Sequence, residues 1–180
     1  MKSRAFKLSA VSCLTILGAA VALHVSDSAV ATPATLCDVV SGGFCSEILG
    51  RSFFEKIRVG TAHGDDEVTA NLVKILAKEP SDVYVVRNTV APGAGSGWHT
   101  HPGPSIVLVK SGVASVYAGD DPSCTPVNYP AGTGFVDAGG THVHLVRNAG
   151  SVPLVTVAFQ IIPMGVPRRT DAPNPGYCQF

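Results

Sequence analysis

The sequence predicts an all-β fold, a small sandwich or barrel, and three observations carry that expectation. From residue 81 onward the chain is a series of short runs rich in Val, Ile, Thr, Tyr and Phe, the residue types that fit a pleated, half-buried surface. Gly, Pro, Asp or Asn stands at almost every junction between these runs, at spacings typical of sandwiches and barrels. Nineteen glycines and thirteen prolines in 180 residues imply many turns, which suits strands better than a helical bundle.

The elements follow in order. Residues 1–31 read as a signal segment. Lys2, Arg4 and Lys7 make a basic start, "LSAVSCLTILGAAVAL" is apolar, and "AVA" at 29–31 offers small residues for cleavage after Ala31. The apolar stretch is shorter than the ~20 residues that span a bilayer. "AVSC" around Cys13 precedes most of that stretch, so lipidation there is not expected. The mature chain is therefore expected to be secreted or periplasmic, with no membrane attachment after cleavage. Residues 32–52 form a lead-in with little periodicity, and "FFEKIRVG" (53–60) reads as a first strand. "EVTANLVKILAKE" (67–79) is ambiguous, because Val68, Leu72, Ile75 and Leu76 would also suit a helix face. Then come "DVYVVRNTV", "SIVLVKSG", "VASVYAGD", "GFVDAG", "HVHLVRN" and "PLVTVAFQII", six strand candidates of one domain over 53–180 with its core at about 82–162.

Composition removes several function classes. With 46% hydrophobic and only 14% charged residues, neither disorder nor a multi-span membrane protein fits. Lys+Arg and Asp+Glu balance at 13 each, so no pull toward nucleic acid is expected. There is no Gly-x-Ser-x-Gly elbow and no Walker loop or dinucleotide fingerprint. "GAGSG" (93–97) is a turn rather than a phosphate cradle, since no helix is signalled after it.

Export changes the reading of the cysteines. Apart from Cys13 there are Cys37, Cys45, Cys124 and Cys178, and four thiols in an oxidising compartment read as two disulfides. Three pairings are open, and the spacing does not choose among them. The arrangement expected is Cys124–Cys178, fastening the tail to the "GDDPSCTP" loop, with Cys37–Cys45 closing an N-terminal loop. A zinc site fits none of the familiar finger spacings.

Histidine carries the functional signal. His24 falls in the signal segment and His63 in the polar stretch "TAHGDDE". The remaining four form two pairs, His99/His101 in "HTH" and His142/His144 in "HVH". Alternate residues of an extended strand face the same way, so each pair can aim two imidazoles at one place. Neutral imidazole is the commonest protein ligand of Zn, Cu, Fe and Ni. Buried, mutually hydrogen-bonded histidines are the plain alternative.

"GSGWHTHPGPSIVLVKSG" resembles the first cupin motif: Gly, a short spacer, His-x-His, three residues, Glu, six residues, Gly. His99 and His101 match, Gly112 closes the motif, and Ser105 stands at the Glu position. "GTHVHLVRN" resembles the second motif, in which a His precedes an Asn by four. His144 and Asn148 satisfy that spacing; His142 lies one residue removed on the same face, and "AGGTH" replaces the usual Pro-x-Gly turn. The resemblance covers residues 82–162. It extends more loosely to small exported bacterial cupins with similar "GWHxHPGP", "DDPxC" and "DAPNPGxC" segments.

This resemblance implies a small jelly-roll (cupin) β-barrel with disulfide-stapled termini, holding a divalent metal inside. Its ligands would be His99, His101 and His144, with His142 as a candidate fourth; Fe, Mn, Cu and Zn are not resolved. Replacing the motif carboxylate by Ser105 leaves three neutral donors around the ion, which therefore keeps its full positive charge. Such a site favours a small anionic ligand or substrate. Ser105 would orient a bound water or fill space, and Trp98 would line the pocket rim or pack in the core. No residue is assigned a catalytic role, and no general base is visible beyond Ser105 and the histidines. The activity expected is that of a metal-dependent oxygenase or oxidase; the alternative is a non-catalytic metal- or small-ligand-binding module of the envelope. A metal-free sugar-binding jelly roll would want more aromatic residues than Trp98 and Tyr84. Cupins also pair as homodimers through sheet edges, though nothing in the sequence selects this.

Overall fold

The computed structural model describes residues 43–60 and 73–180. The expected signal segment, Cys13, His24, Cys37 and His63 lie outside them. Every regular element among the described residues is a strand, and no helix there is long and apolar enough to cross a membrane. The strands are β1 (Phe44–Phe54), β2 (Ile57–Gly60), β3 (Lys74–Ala77), β4 (Ser81–Val90), β5 (His99–Thr100), β6 (Ser105–Ser111), β7 (Val113–Ala118), β8 (Val127–Pro130), β9 (Gly134–Asp137), β10 (His144–Arg147), β11 (Leu154–Pro163) and β12 (Thr170–Asp171).

Two five-stranded antiparallel sheets carry the domain, in the orders β1-β4-β11-β6-β9 and β12-β5-β10-β7-β8, with β2 and β3 as a separate pair. Six of the seven links from β4 to β11 cross from one sheet to the other. The result is the double Greek key of a jelly roll, eight strands in facing sets of four; β1 and β12 extend the sheets.

Alternation explains why these residues make a double sheet. In β6, Ser105, Val107 and Val109 are buried while Ile106, Leu108 and Lys110 are exposed. In β11 the buried row is Leu154, Thr156, Ala158, Gln160 and Ile162. Val90, Val109, Ala114 and Leu154, drawn from both sheets, form an apolar plug with Phe44, Val116, Tyr129, Phe135 and Val146 around it. Burying each large side chain there contributes about 1.5–3 kcal/mol. Along β11 the inward row turns polar at Thr156 and Gln160, and that polarity marks the cavity.

The C-terminal tail covers the outer face of the second sheet. Cys178 joins Cys124 in a disulfide with a Cα separation of 5.4 Å, as expected, and packs against Trp98, Tyr117 and Leu145. The Phe180 ring lies against Tyr117, tilted by 60° with centroids 4.9 Å apart, and under the Arg147 guanidinium at 4.5 Å. Cys45 is disulfide-bonded; Cys37, its expected partner, is not among the described residues.

Several sequence expectations are corrected here. The lead-in, which shows little periodicity, carries most of a long strand: β1 begins at Phe44 and pairs along the whole of β4. The single strand expected at 53–60 is instead the end of β1 and all of β2, broken at Glu55 and Lys56. The described end of the ambiguous segment is strand β3, its apolar residues serving a two-stranded pair rather than a helix face. Of the two places open to Trp98, the structure takes packing: it is buried in the apolar cluster on the outer face and does not line the cavity. It immediately precedes His99, so strand alternation turns it to the opposite side.

Candidate metal centre

β5 and β10 are neighbours, and His99 is paired directly with His144. Directly opposed residues carry their side chains on one face within reach of each other. His101, two residues after His99, falls on the same side. Three imidazoles converge there: ring centroids are 4.3 Å apart for His99–His144, 4.9 Å for His99–His101 and 5.5 Å for His101–His144. All three residues are buried, and one ring nitrogen of each lies within 4.8 Å of the others.

The outer nitrogens are tied down. His99 Nδ1 donates to Gly97 O at 2.8 Å, and His101 Nδ1 to Arg168 O at 2.6 Å. His144 Nδ1 faces His142 O at 3.4 Å. A carbonyl only accepts, so each Nδ1 carries the proton and each Nε2 keeps its lone pair; no hydrogen bond among the described residues engages these Nε2 atoms. Fixing one ring nitrogen in this way is how metal-ligating histidines are oriented. Burial also holds all three rings neutral. It pushes His99 down to about 2, helped by His144, with which His99 could not share a second positive charge at this distance, and by the Arg169 guanidinium. It lowers His101 against the opposing pull of its bond to Arg168 O, and lowers His144 against the opposing pull of Asp137. Three neutral, preoriented imidazoles fit a divalent ion of the borderline class.

His142 does not join this trio. It precedes β10, its side chain is 48% exposed, and its Nδ1 lies 3.8 Å from Asp137 Oδ1. It belongs to a second possible donor group with Asp137 and His144. The strand starts only at His144, so the parity expected of "HVH" does not carry His142 inside.

The facing wall comes from the other sheet. Ser105 is 2% exposed and its Oγ accepts a bond from Gln160 Nε2 at 2.9 Å. Gln160 Oε1 accepts from Arg168 Nη1 at 3.3 Å, and Arg168 Nη2 donates to Ser46 Oγ at 2.8 Å. Asp137 stands directly opposite Ser105 in the β6–β9 register. Its Oδ1 accepts from Gly139 N at 3.1 Å, while the buried Oδ2 has no hydrogen-bond partner. Asp137 thus places beside the histidines a carboxylate that the sequence reading did not bring into the site. These residues enclose a cavity of about 60 Å³, room for roughly four waters.

Sequence reasoning missed Asp137, Gln160, Arg168 and Ser96. Gln160 left a readable sign, a polar residue in phase with Leu154 and Ala158 within an apolar run. Ser96 holds β10 through its Oγ, which accepts from Val146 N at 3.0 Å. Asp137 becomes visible only through its register with Ser105, and Arg168 lies beyond the periodic strands.

Two histidine-bearing strands sit side by side in one sheet of a jelly roll and turn three imidazoles inward. The fold is that of a cupin. No family model matches the sequence, and no curated protein does. Among solved structures, the chain is similar to an oxalate oxidase, with 24% identity over 46% of this chain and 46% of that one and a TM-score of 0.38. It is also similar to a double-stranded β-helix protein from Klebsiella pneumoniae subsp. pneumoniae MGH 78578, at 22% identity, 66% and 80% coverage and a TM-score of 0.42. A third is the DMSP lyase DddQ from Ruegeria pomeroyi DSS-3, at 16% identity, 52% and 45% coverage and a TM-score of 0.44. This chain spans less than half the length of the oxidase and of the lyase. Its assignment rests on strand order and on where the histidines stand.

Proposed function

We propose that this chain is an exported cupin that holds one divalent metal through His99, His101 and His144 and carries out metal-dependent oxygen chemistry on a small organic anion. The observation behind this reading is the histidine trio, three buried imidazoles with their Nδ1 atoms occupied and their Nε2 atoms free. A bound divalent ion would supply a Lewis-acid or redox centre. The protein's own groups do the rest. The apolar plug of Val90, Val109, Ala114 and Leu154 excludes bulk water from the barrel interior. The small cavity limits the ligand to a few heavy atoms, and Asp137 Oδ2 is available to accept a proton from it. Export rests on the basic and apolar segments of residues 1–31.

A second reading, a non-catalytic metal- or small-ligand-binding cupin of the envelope, is favoured by Ser105 in place of the motif carboxylate. Oxygen uptake over a panel of small acids and phenols, with the loaded metal held fixed, separates the two. The metal site itself is tested by elemental analysis of protein purified from its native location. About one metal per chain is expected, falling more than tenfold in His101→Ala; a metal-free wild type that takes up none on reconstitution overturns the reading.

A further inference from the structure

We propose that Arg168, Gln160 and Ser105 form a subsite for the ligand's carboxylate, so that the incoming acid occupies the place where the motif's own carboxylate is missing. This deepens the metal-centre reading and rests on it for the ligand's second point of attachment. The subsite itself is built from protein groups alone.

The argument is one of charge and of unspent donors. Arg168 is half-buried on the cavity wall. Its side-chain bonds reach only the neutral acceptors Gln160 Oε1 and Ser46 Oγ, and no carboxylate pairs with it among the described residues. Its neighbour Arg169 is matched by Asp171 at 2.7 Å and bonded to Ser96 O at 2.6 Å. Of the two arginines lining the cavity, Arg168 is the one without a counter-charge among the described residues, and a desolvated cation calls for one. A guanidinium carries five N–H donors, of which these two contacts use two. Ser105 Oγ accepts from Gln160, so its own hydrogen is free to donate. Gln160 links the two ends and fixes their spacing. Asp137 is the one acid lining the cavity; it stands opposite Ser105 in the β6–β9 register, with its Oδ1 turned toward His142 and His144. An endogenous Glu at position 105 would place its charge at the end of this network; Ser105 leaves that place open to an anion. Forked Arg–carboxylate recognition is both strong and oriented.

The test is an NMR titration of the full chain, zinc-loaded and metal-free, with acetate and its neutral isostere acetamide. Acetate should bind at least tenfold more tightly than acetamide. Arg168→Gln should abolish that preference and leave zinc content unchanged, and Arg168→Lys should recover only part of it. Equal affinity for the two probes, or an unaltered preference in Arg168→Gln, overturns the proposal. Should Arg168→Gln fail to fold, Ser105→Glu decides: with a carboxylate supplied in place, acetate binding should fall at least tenfold while zinc is retained. Undiminished acetate binding in that variant puts the anion elsewhere and also overturns the proposal. If the wild type takes no zinc, the metal reading fails separately, while an Arg168-dependent acetate preference in the metal-free chain still upholds the subsite.

Discussion

His99, His101 and His144 stay neutral inside the barrel because burial penalises their charged forms, whereas in an unfolded chain each would protonate near its ordinary value of 6.5. Below that pH the unfolded state binds protons that the folded state refuses, so stability falls as pH drops. For His99, held down to about 2, the loss is about 1.4 kcal/mol for each pH unit below 6.5, and the other two push the same way. Urea denaturation of the metal-free protein should therefore give an unfolding free energy lower by at least that amount at pH 5.5 than at pH 7.5. A flat profile, or one unaffected by His99→Gln, would show that these rings are not held neutral. The three histidines were legible in the sequence because strand parity and motif spacing depend only on local order. Asp137 and Arg168 were not, because their place in the site is set by a cross-strand register and by a tail that folds back, and neither leaves a periodic trace.

At the scale of elements, the ends of the motifs do work that the ligands cannot. Asn148 is fully buried, and its side-chain amide donates to Val90 O at 2.9 Å and to Val152 O at 2.8 Å, while its Oδ1 accepts from Gly150 N at 3.0 Å. One side chain thereby pins the end of β10 to the end of β4 and to the turn that starts β11. Asn148→Ala strands the buried Val90 carbonyl and the part-buried Val152 carbonyl and should cost on the order of 2–4 kcal/mol, read as a lower denaturation midpoint with an unchanged slope. Gly112 serves the β6–β7 turn: its φ is +74°, and a Cβ there would meet Leu154 Cα at 3.0 Å. β4, β6, β7, β9, β10 and β11 were readable as β-branched runs between turn residues. β5 and β12, of two residues each, were not, and neither was β8, which holds one β-branched residue, Val127, and ends on Pro130. β1 escaped notice because its second half is exposed and lacks a clean apolar alternation.

The whole molecule depends on its staple as well as its core. The Cys124–Cys178 bond closes a loop with a sequence separation of 54, and loop-closure entropy puts its contribution at about 4 kcal/mol. Cys124→Ser should lower the unfolding free energy by up to that amount and expose the Trp98 cluster, seen as a red shift in tryptophan emission. An unshifted spectrum with full stability would mean the tail holds by packing alone. The division of roles between the two sheets has a further consequence. His99, His101 and His144 come from β5 and β10 and the segment just after β5, all on one sheet, whereas Ser105, Asp137 and Gln160 come from β6, β9 and β11 on the other. On the proposed reading, the groups that would grip an ion stand on one ribbon and most of those that would meet a guest on the other, with Arg168, on the link from β11 to β12, joining them through its carbonyl to His101 and its guanidinium to Gln160. Substitutions at Ser105 or Gln160 would then change the guest while the histidines keep their own ribbon.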